Sequence, residues 1–249
     1  MPQREPNPRI GADASSVTRS QHRITLVAAG VIFAIIAMLA WSWAVRTIPM
    51  PAWFQALASY LVVWIPLGVA LVFGARAARR DGDGPLFARP VFRLIDVLWG
   101  VGAGLLMRGV TAGIEVVLIG RMSGGGGVML EIDPTMAWFI LLVAPVIIGP
   151  VIEECFFRGF TLPAMRDATD ASGARRSTAT AIAVIGSAAL FALLHTLEST
   201  SPTLALVTGL STFVFGLVAG LLVVFTNRLG GAIVAHVVYN GSLILLIVT

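Results

Sequence analysis

The sequence predicts an all-α protein, a polytopic transmembrane bundle of about seven helices, with six to eight as the range. Three observations carry this expectation. Hydrophobic residues fill 57% of the 249 positions and charged residues only 12%, far more apolar surface than a soluble domain of this length can bury. The apolar residues fall into seven runs, each near the ~20 residues a helix needs to cross a ~30 Å hydrocarbon layer. The basic residues gather in the short segments between those runs. All 17 are arginine, so the positive charge persists at any accessible pH.

Residues 1–22 hold Pro2, Pro6, Pro8 and Gly11 among mixed charges with no apolar period, which suits a disordered tail. The first span follows at 24–45, too long for the apolar core of a cleavable signal. The second runs from 53 to 75, with Pro66 as an expected kink and Arg76, Arg79 and Arg80 at its end. Residues 81–85 form a turn-rich loop. The third span, 94–120, carries Asp96 at its edge and Arg108 and Glu115 on one face, where they can neutralise each other. The glycines at 124–127 read as a flexible connector, since no Gly-Lys-Ser/Thr follows to make a phosphate loop. The fourth span covers 136–163, loosened by Pro145 and Pro150, and the last three cover 178–196, 202–225 and 229–248.

Alternating these spans across a membrane puts thirteen arginines on one side and two on the other, Arg108 and Arg158 lying within spans. The positive-inside rule then sets the amino terminus in the cytoplasm of a multi-pass cell-membrane protein. No stripe of arginines with interleaved aromatics offers a nucleic-acid surface, so the partners expected are the bilayer and a substrate within it. The only cysteine, Cys155, excludes an internal disulfide and any zinc site made of several thiolates.

Chemistry concentrates where charge interrupts the oily runs. An ionised side chain at membrane depth costs at least a few kcal/mol, which makes Glu153, Glu154 and Arg158 a functional site by default. Glu154 precedes Arg158 by four residues, the favoured helical ion pair, whereas Glu153 points about 100° away. Glu154 and Arg158 thus read as a supporting pair and Glu153 as the working base. His195 stands in the fifth span. His236 and Asn240, four apart, project from one face of the seventh about 6 Å from each other. This set suits acyl-transfer hydrolysis without a covalent intermediate. Glu153 with His195 would activate water, and His236 with Asn240 would hold the oxyanion.

Glu153-Glu154-x-x-x-Arg158, Phe191-x-x-x-His195 and His236-x-x-x-Asn240 occur in this order on separate spans. In this the chain resembles the CPBP family of intramembrane proteases (CAAX protease and bacteriocin-processing, also called Abi), which includes the type II CAAX prenyl endopeptidases. The resemblance covers roughly 136–249 and implies an intramembrane endopeptidase domain spanning 23–249, with the same four catalytic residues. It also implies a peptide or protein substrate, prenylated in the eukaryotic members.

Adjacent antiparallel helices must bring Glu153 and His195 to equal depth. Their midpoint, Ala174, falls in a plausible turn, yet Glu153 lies roughly 15 Å from Pro163 and His195 roughly 25 Å from Thr178, so the hairpin has to tilt. The site is expected in the cytoplasmic half of the membrane. Three alternatives stand beside this reading. Zinc could be held by Glu153, His195 and His236 instead of a cofactor-free mechanism, although no His-Glu-x-x-His helix is present. Cys155 could act as a thiol, although it lies about 200° around the helix from Glu153. The chain could also be a non-enzymatic membrane protein, either a bacteriocin-immunity or scaffolding factor or an ion-coupled transporter.

Overall fold

A computed structural model describes residues 8–80, 92–122 and 138–248. The expected turn-rich loop at 81–85 and the glycine connector lie outside the described residues. Among the described residues, seven helices make up the bundle: α1 (Pro8–Thr47), α2 (Ala52–Arg80), α3 (Leu94–Ile119), α4 (Phe139–Ala171), α5 (Arg176–Leu197), α6 (Pro202–Thr226) and α7 (Gly230–Val248). The first six are long and apolar enough to cross a membrane. Their outward faces carry large exposed apolar side chains such as Phe33 and Leu39 on α1, Leu106 and Val117 on α3 and Phe225 on α6, as lipid-facing surfaces require.

Two boundaries differ from the sequence reading. α1 starts at Pro8, so helix replaces the irregular tail from that residue onward. Helix-compatible residues such as Ala14, Arg19 and Gln21 continue a helix that the apolar span has already nucleated, and Arg23 holds this part to α4 through Asp167 at 3.2 Å. α4 runs on past Pro163 to Ala171.

That extension depends on two widened stretches of α4, Phe139–Ile148 and Cys155–Thr161, which are π-helical. Their bonding is seen where the amide of Gly149 reaches the carbonyl of Ala144 and that of Leu162 reaches Phe157, each five residues back. Stretches of this kind are rare and favour functional sites. Here they let Pro145 and Pro163 sit inside a continuous helix, because the wider turn relieves the clash between a proline ring and the preceding carbonyls.

Helix contacts order the rest. α5 packs along α6, and Gly216 makes this possible: a Cβ there would lie 2.9 Å from Ala188 and 3.2 Å from the Arg158 guanidinium. α3 packs along α7 through a seam of Gly100 and Gly104. A Cβ at Gly100 would come 2.8 Å from the Gly231 carbonyl, and one at Gly104 would come 2.6 Å from that of Ala235. These glycines allow backbone-to-backbone contact, the means by which helices associate in lipid. Arg228, in the turn before α7, clamps Asp96 at the start of α3 with bonds of 2.6 and 2.8 Å. The core at the centre of the bundle is aromatic, with Phe156, Phe157 and Phe160 on α4, Phe191 on α5 and Phe215 on α6 all fully buried.

Candidate active site

α4, α5 and α7 bring the residues singled out in the sequence to one place. The fourth helix supplies Glu153, Glu154 and Arg158. Glu154 and Arg158 form the expected pair, Nη1 donating to Oε1 at 2.9 Å with both side chains wholly buried. Arg158 also lies against the face of Phe191, 4.5 Å from the ring centre, an arrangement that stabilises a guanidinium removed from water. Its Nε and Nη2 find no hydrogen-bond acceptor among the described residues, so the aromatic contacts with Phe191, Phe157 and Phe215 are what meets that side of the ion.

The two histidines face Glu153 in the same way. Nδ1 of His195 lies 3.0 Å from the Phe191 carbonyl, and Nδ1 of His236 lies 2.8 Å from Glu154 Oε1. Both partners only accept, so each Nδ1 carries the proton and each Nε2 is turned toward Glu153. Oε2 of Glu153 stands 3.8 Å from Nε2 of His195 and 3.7 Å from Nε2 of His236. With neutral imidazoles these are three electron-pair acceptors around one point. Such a set calls for a shared hydrogen-bond donor or a cation.

Asn240 is held by a consequence of the π-helix. In a five-residue bonding pattern the carbonyl of Pro145 would receive the amide of residue 150, but that residue is proline and has no N–H. The open carbonyl instead accepts from Asn240 Nδ2 at 2.8 Å. The prolines expected to loosen α4 therefore also anchor α7. His236 thus has a place in the support of the site, on Glu154, that the sequence reading gave to Arg158 alone.

A cavity of about 630 Å³ leads to these residues. Glu153, His195 and Asn240 line it together with the apolar and aromatic side chains of α1 and α2, including Met38, Trp41, Tyr60 and Trp64, while Arg46, Glu198 and Thr200 stand at its end. Trp64 and Tyr60 stack at 5.1 Å, and the Tyr60 hydroxyl donates to the Ile140 carbonyl of α4. Cys155 does not line the cavity. Glu198 lies just past α5, where crowding by protein raises its carboxyl above the usual range, with His195 acting to lower it and Glu153 to raise it.

The depth mismatch expected between α4 and α5 disappears. Glu153 precedes the end of α4 at Ala171 by 18 residues, and His195 follows the start of α5 at Arg176 by 19. The turn between them includes Ala174 as foreseen, with Gly173 at φ 88°. His236, by contrast, lies only six residues past the start of α7 at Gly230, toward the arginine-rich end. The cavity runs to the other end of the bundle.

A zinc ion with bonds near 2.0–2.1 Å would draw its ligand atoms to roughly 3.4 Å from one another. The separations of 3.7 and 3.8 Å are somewhat wider, and no tight group of three or more His, Cys, Asp or Glu side chains occurs among the described residues. The donor chemistry of one carboxylate and two imidazoles nevertheless suits zinc.

Sequence reasoning missed three contributors. Phe191 supports Arg158 through its ring and His195 through its carbonyl, and its place in Phe191-x-x-x-His195 was the signal for it. Phe215, 4.8 Å from the His236 ring, and Trp64 on the cavity wall look like any aromatic in an apolar helix. No curated protein and no solved structure matches the chain. Residues 135–242, which contain every member of the cluster, match the family model described as Type II CAAX prenyl endopeptidase Rce1-like.

Proposed function

We propose that this protein is an intramembrane endopeptidase in which Glu153 and His195 activate a water molecule that attacks a peptide carbonyl. One observation carries the reading: a carboxylate oxygen and two imidazole Nε2 atoms converge within 3.8 Å at the inner end of a cavity large enough for an extended peptide segment. Glu153 takes the proton of the attacking water, with the His195 imidazole fixed by Phe191 to steady and relay it. His236, held by Glu154, faces the same point and serves as donor to the developing oxyanion once its Nε2 carries a proton. Asn240 contributes an amide N–H beside it. Glu154 and Arg158 hold this arrangement in a medium without water. The substrate is a peptide or protein chain, and the family description points to a lipidated one.

Purified wild-type, Glu153→Gln and His195→Ala proteins in lipid nanodiscs, tested on a quenched-fluorescence peptide library, examine this reading. Cleavage should fall about 10²–10⁴-fold in both variants at unchanged thermal stability. Undiminished cleavage by Glu153→Gln would overturn it. A chelator arm addresses zinc: activity that survives washing favours the metal-free route, whereas loss reversed by zinc assigns Glu153, His195 and His236 as ligands. A scaffolding or transport role would leave the cellular phenotype intact in Glu153→Gln.

A further inference from the structure

The side from which the cavity is entered is written in the ends of the helices. Two ion pairs mark one end of the bundle. Arg23 of α1 meets Asp167 of α4, and Arg228 before α7 meets Asp96 at the start of α3. Around them stand Arg76, Arg79 and Arg80 at the end of α2, Arg93 before α3, and Arg166, Arg175 and Arg176 at the α4–α5 turn. The opposite end has only Arg46 and Arg121 among the described residues. The cavity is lined by residues approaching that arginine-poor end: Arg46 next to the last residue of α1, Ser59 and Tyr60 early in α2, and Glu198 and Thr200 beyond α5. No described residue of the arginine-rich end lines it.

Arginine-rich ends remain on the cytoplasmic side of a membrane. We infer that the site opens to the non-cytoplasmic face, and that it acts on apolar peptide segments presented from outside, such as the outer juxtamembrane part of an exported or membrane-anchored chain. The substrate half of this inference rests on the endopeptidase reading, and the orientation half does not. The lining fits such a segment: aromatic and aliphatic walls receive apolar side chains, and Arg46 and Glu198 at the rim meet the ends or flanking charges of the peptide. A cytoplasmic carboxy terminus would have to cross the membrane to reach Glu153.

Cysteine labelling in spheroplasts tests it. In a Cys155→Ser background, Thr200→Cys marks the rim and Ser172→Cys marks the α4–α5 turn, with Glu198→Cys as a second rim position. Each variant is first checked for wild-type melting. A membrane-impermeant maleimide should label both rim positions at least about tenfold more than Ser172→Cys, which should react only after permeabilisation. The reverse pattern, or equal labelling of both ends, overturns the inference. The substrate half is read with a single-span test protein carrying an apolar juxtamembrane segment either outside or inside. Cleavage of the outside version alone, abolished by Glu153→Gln, supports it, and cleavage of the inside version alone refutes it. Rim labelling from outside with neither test protein cut would leave the orientation standing and count against the endopeptidase reading.

Discussion

Replacing Arg158 with methionine removes one of two donors from a carboxylate that has no contact with solvent. Glu154 Oε1 now accepts from Arg158 at 2.9 Å and from His236 at 2.8 Å, while Oε2 has no hydrogen-bond partner among the described residues. Methionine fills much of the arginine volume against Phe191, so loss of packing is small and the main effect is an uncompensated charge. Breaking a buried pair in this way costs about 3–5 kcal/mol. Transfer of a proton to Glu154 or His236 relieves part of it, so about 3 kcal/mol is expected, a fall in melting temperature of roughly 6–12 °C for a chain of this size. The readout is thermal unfolding in detergent with a thiol-reactive dye, which reports exposure of the single Cys155. The double variant Glu154→Gln/Arg158→Met should recover at least half of the loss, since the buried charge is then gone from both sides. A loss of under about 1 kcal/mol in Arg158→Met, or no recovery in the double variant, would refute the view that this pair neutralises itself.

Gly104→Ala should lower the melting temperature by the equivalent of about 1–3 kcal/mol, because its Cβ meets the Ala235 carbonyl, whereas Gly102→Ala, with nothing within 4 Å, should be neutral in the same assay. Pro150→Ala restores an N–H that competes for the Pro145 carbonyl and loosens Asn240. Cleavage should drop several-fold with little change in melting, and an unaltered rate would show that this bond does not matter for turnover. Glu198→Gln should raise stability slightly at neutral pH, the effect being damped by solvent because the side chain is exposed at the cavity rim. A carboxyl held high by its surroundings adds stability below its unfolded-state range and loses it as pH rises through the higher folded-state range, so the gain from Gln should shrink toward pH 4. A gain larger at pH 4 than at pH 7 would reverse that sign.

The helical bundle was legible because membrane crossing demands length and apolarity, and both are local properties of a sequence. The site residues were legible for a related reason: Glu153, His195 and His236 are costly in lipid and therefore stand out. Other features depend on relations between distant residues. Pro163 reads as a helix end because proline ends an ordinary α-helix, and only the widened turn of Cys155–Thr161 lets α4 continue. The share of His236 in supporting Glu154 could not be read, because it depends on the rotation of α7 against α4. That rotation is set by Gly100 and Gly104 on α3, which in the sequence are simply small residues in an oily run.

The glycine seam between α3 and α7 bears on how far this protein can be taken apart. Residues 135–242 hold the whole reactive cluster, yet α3 lies outside that stretch, and the close approach at Gly100 and Gly104 fixes the helix that carries His236 and Asn240. A shortened protein built from that stretch alone would keep every motif and lose the alignment between them, together with the α1 and α2 walls of the cavity. Exchange of parts with a relative should therefore move α3 and α7 as a pair, and a chimera that divides them is expected to fold with its histidines out of register.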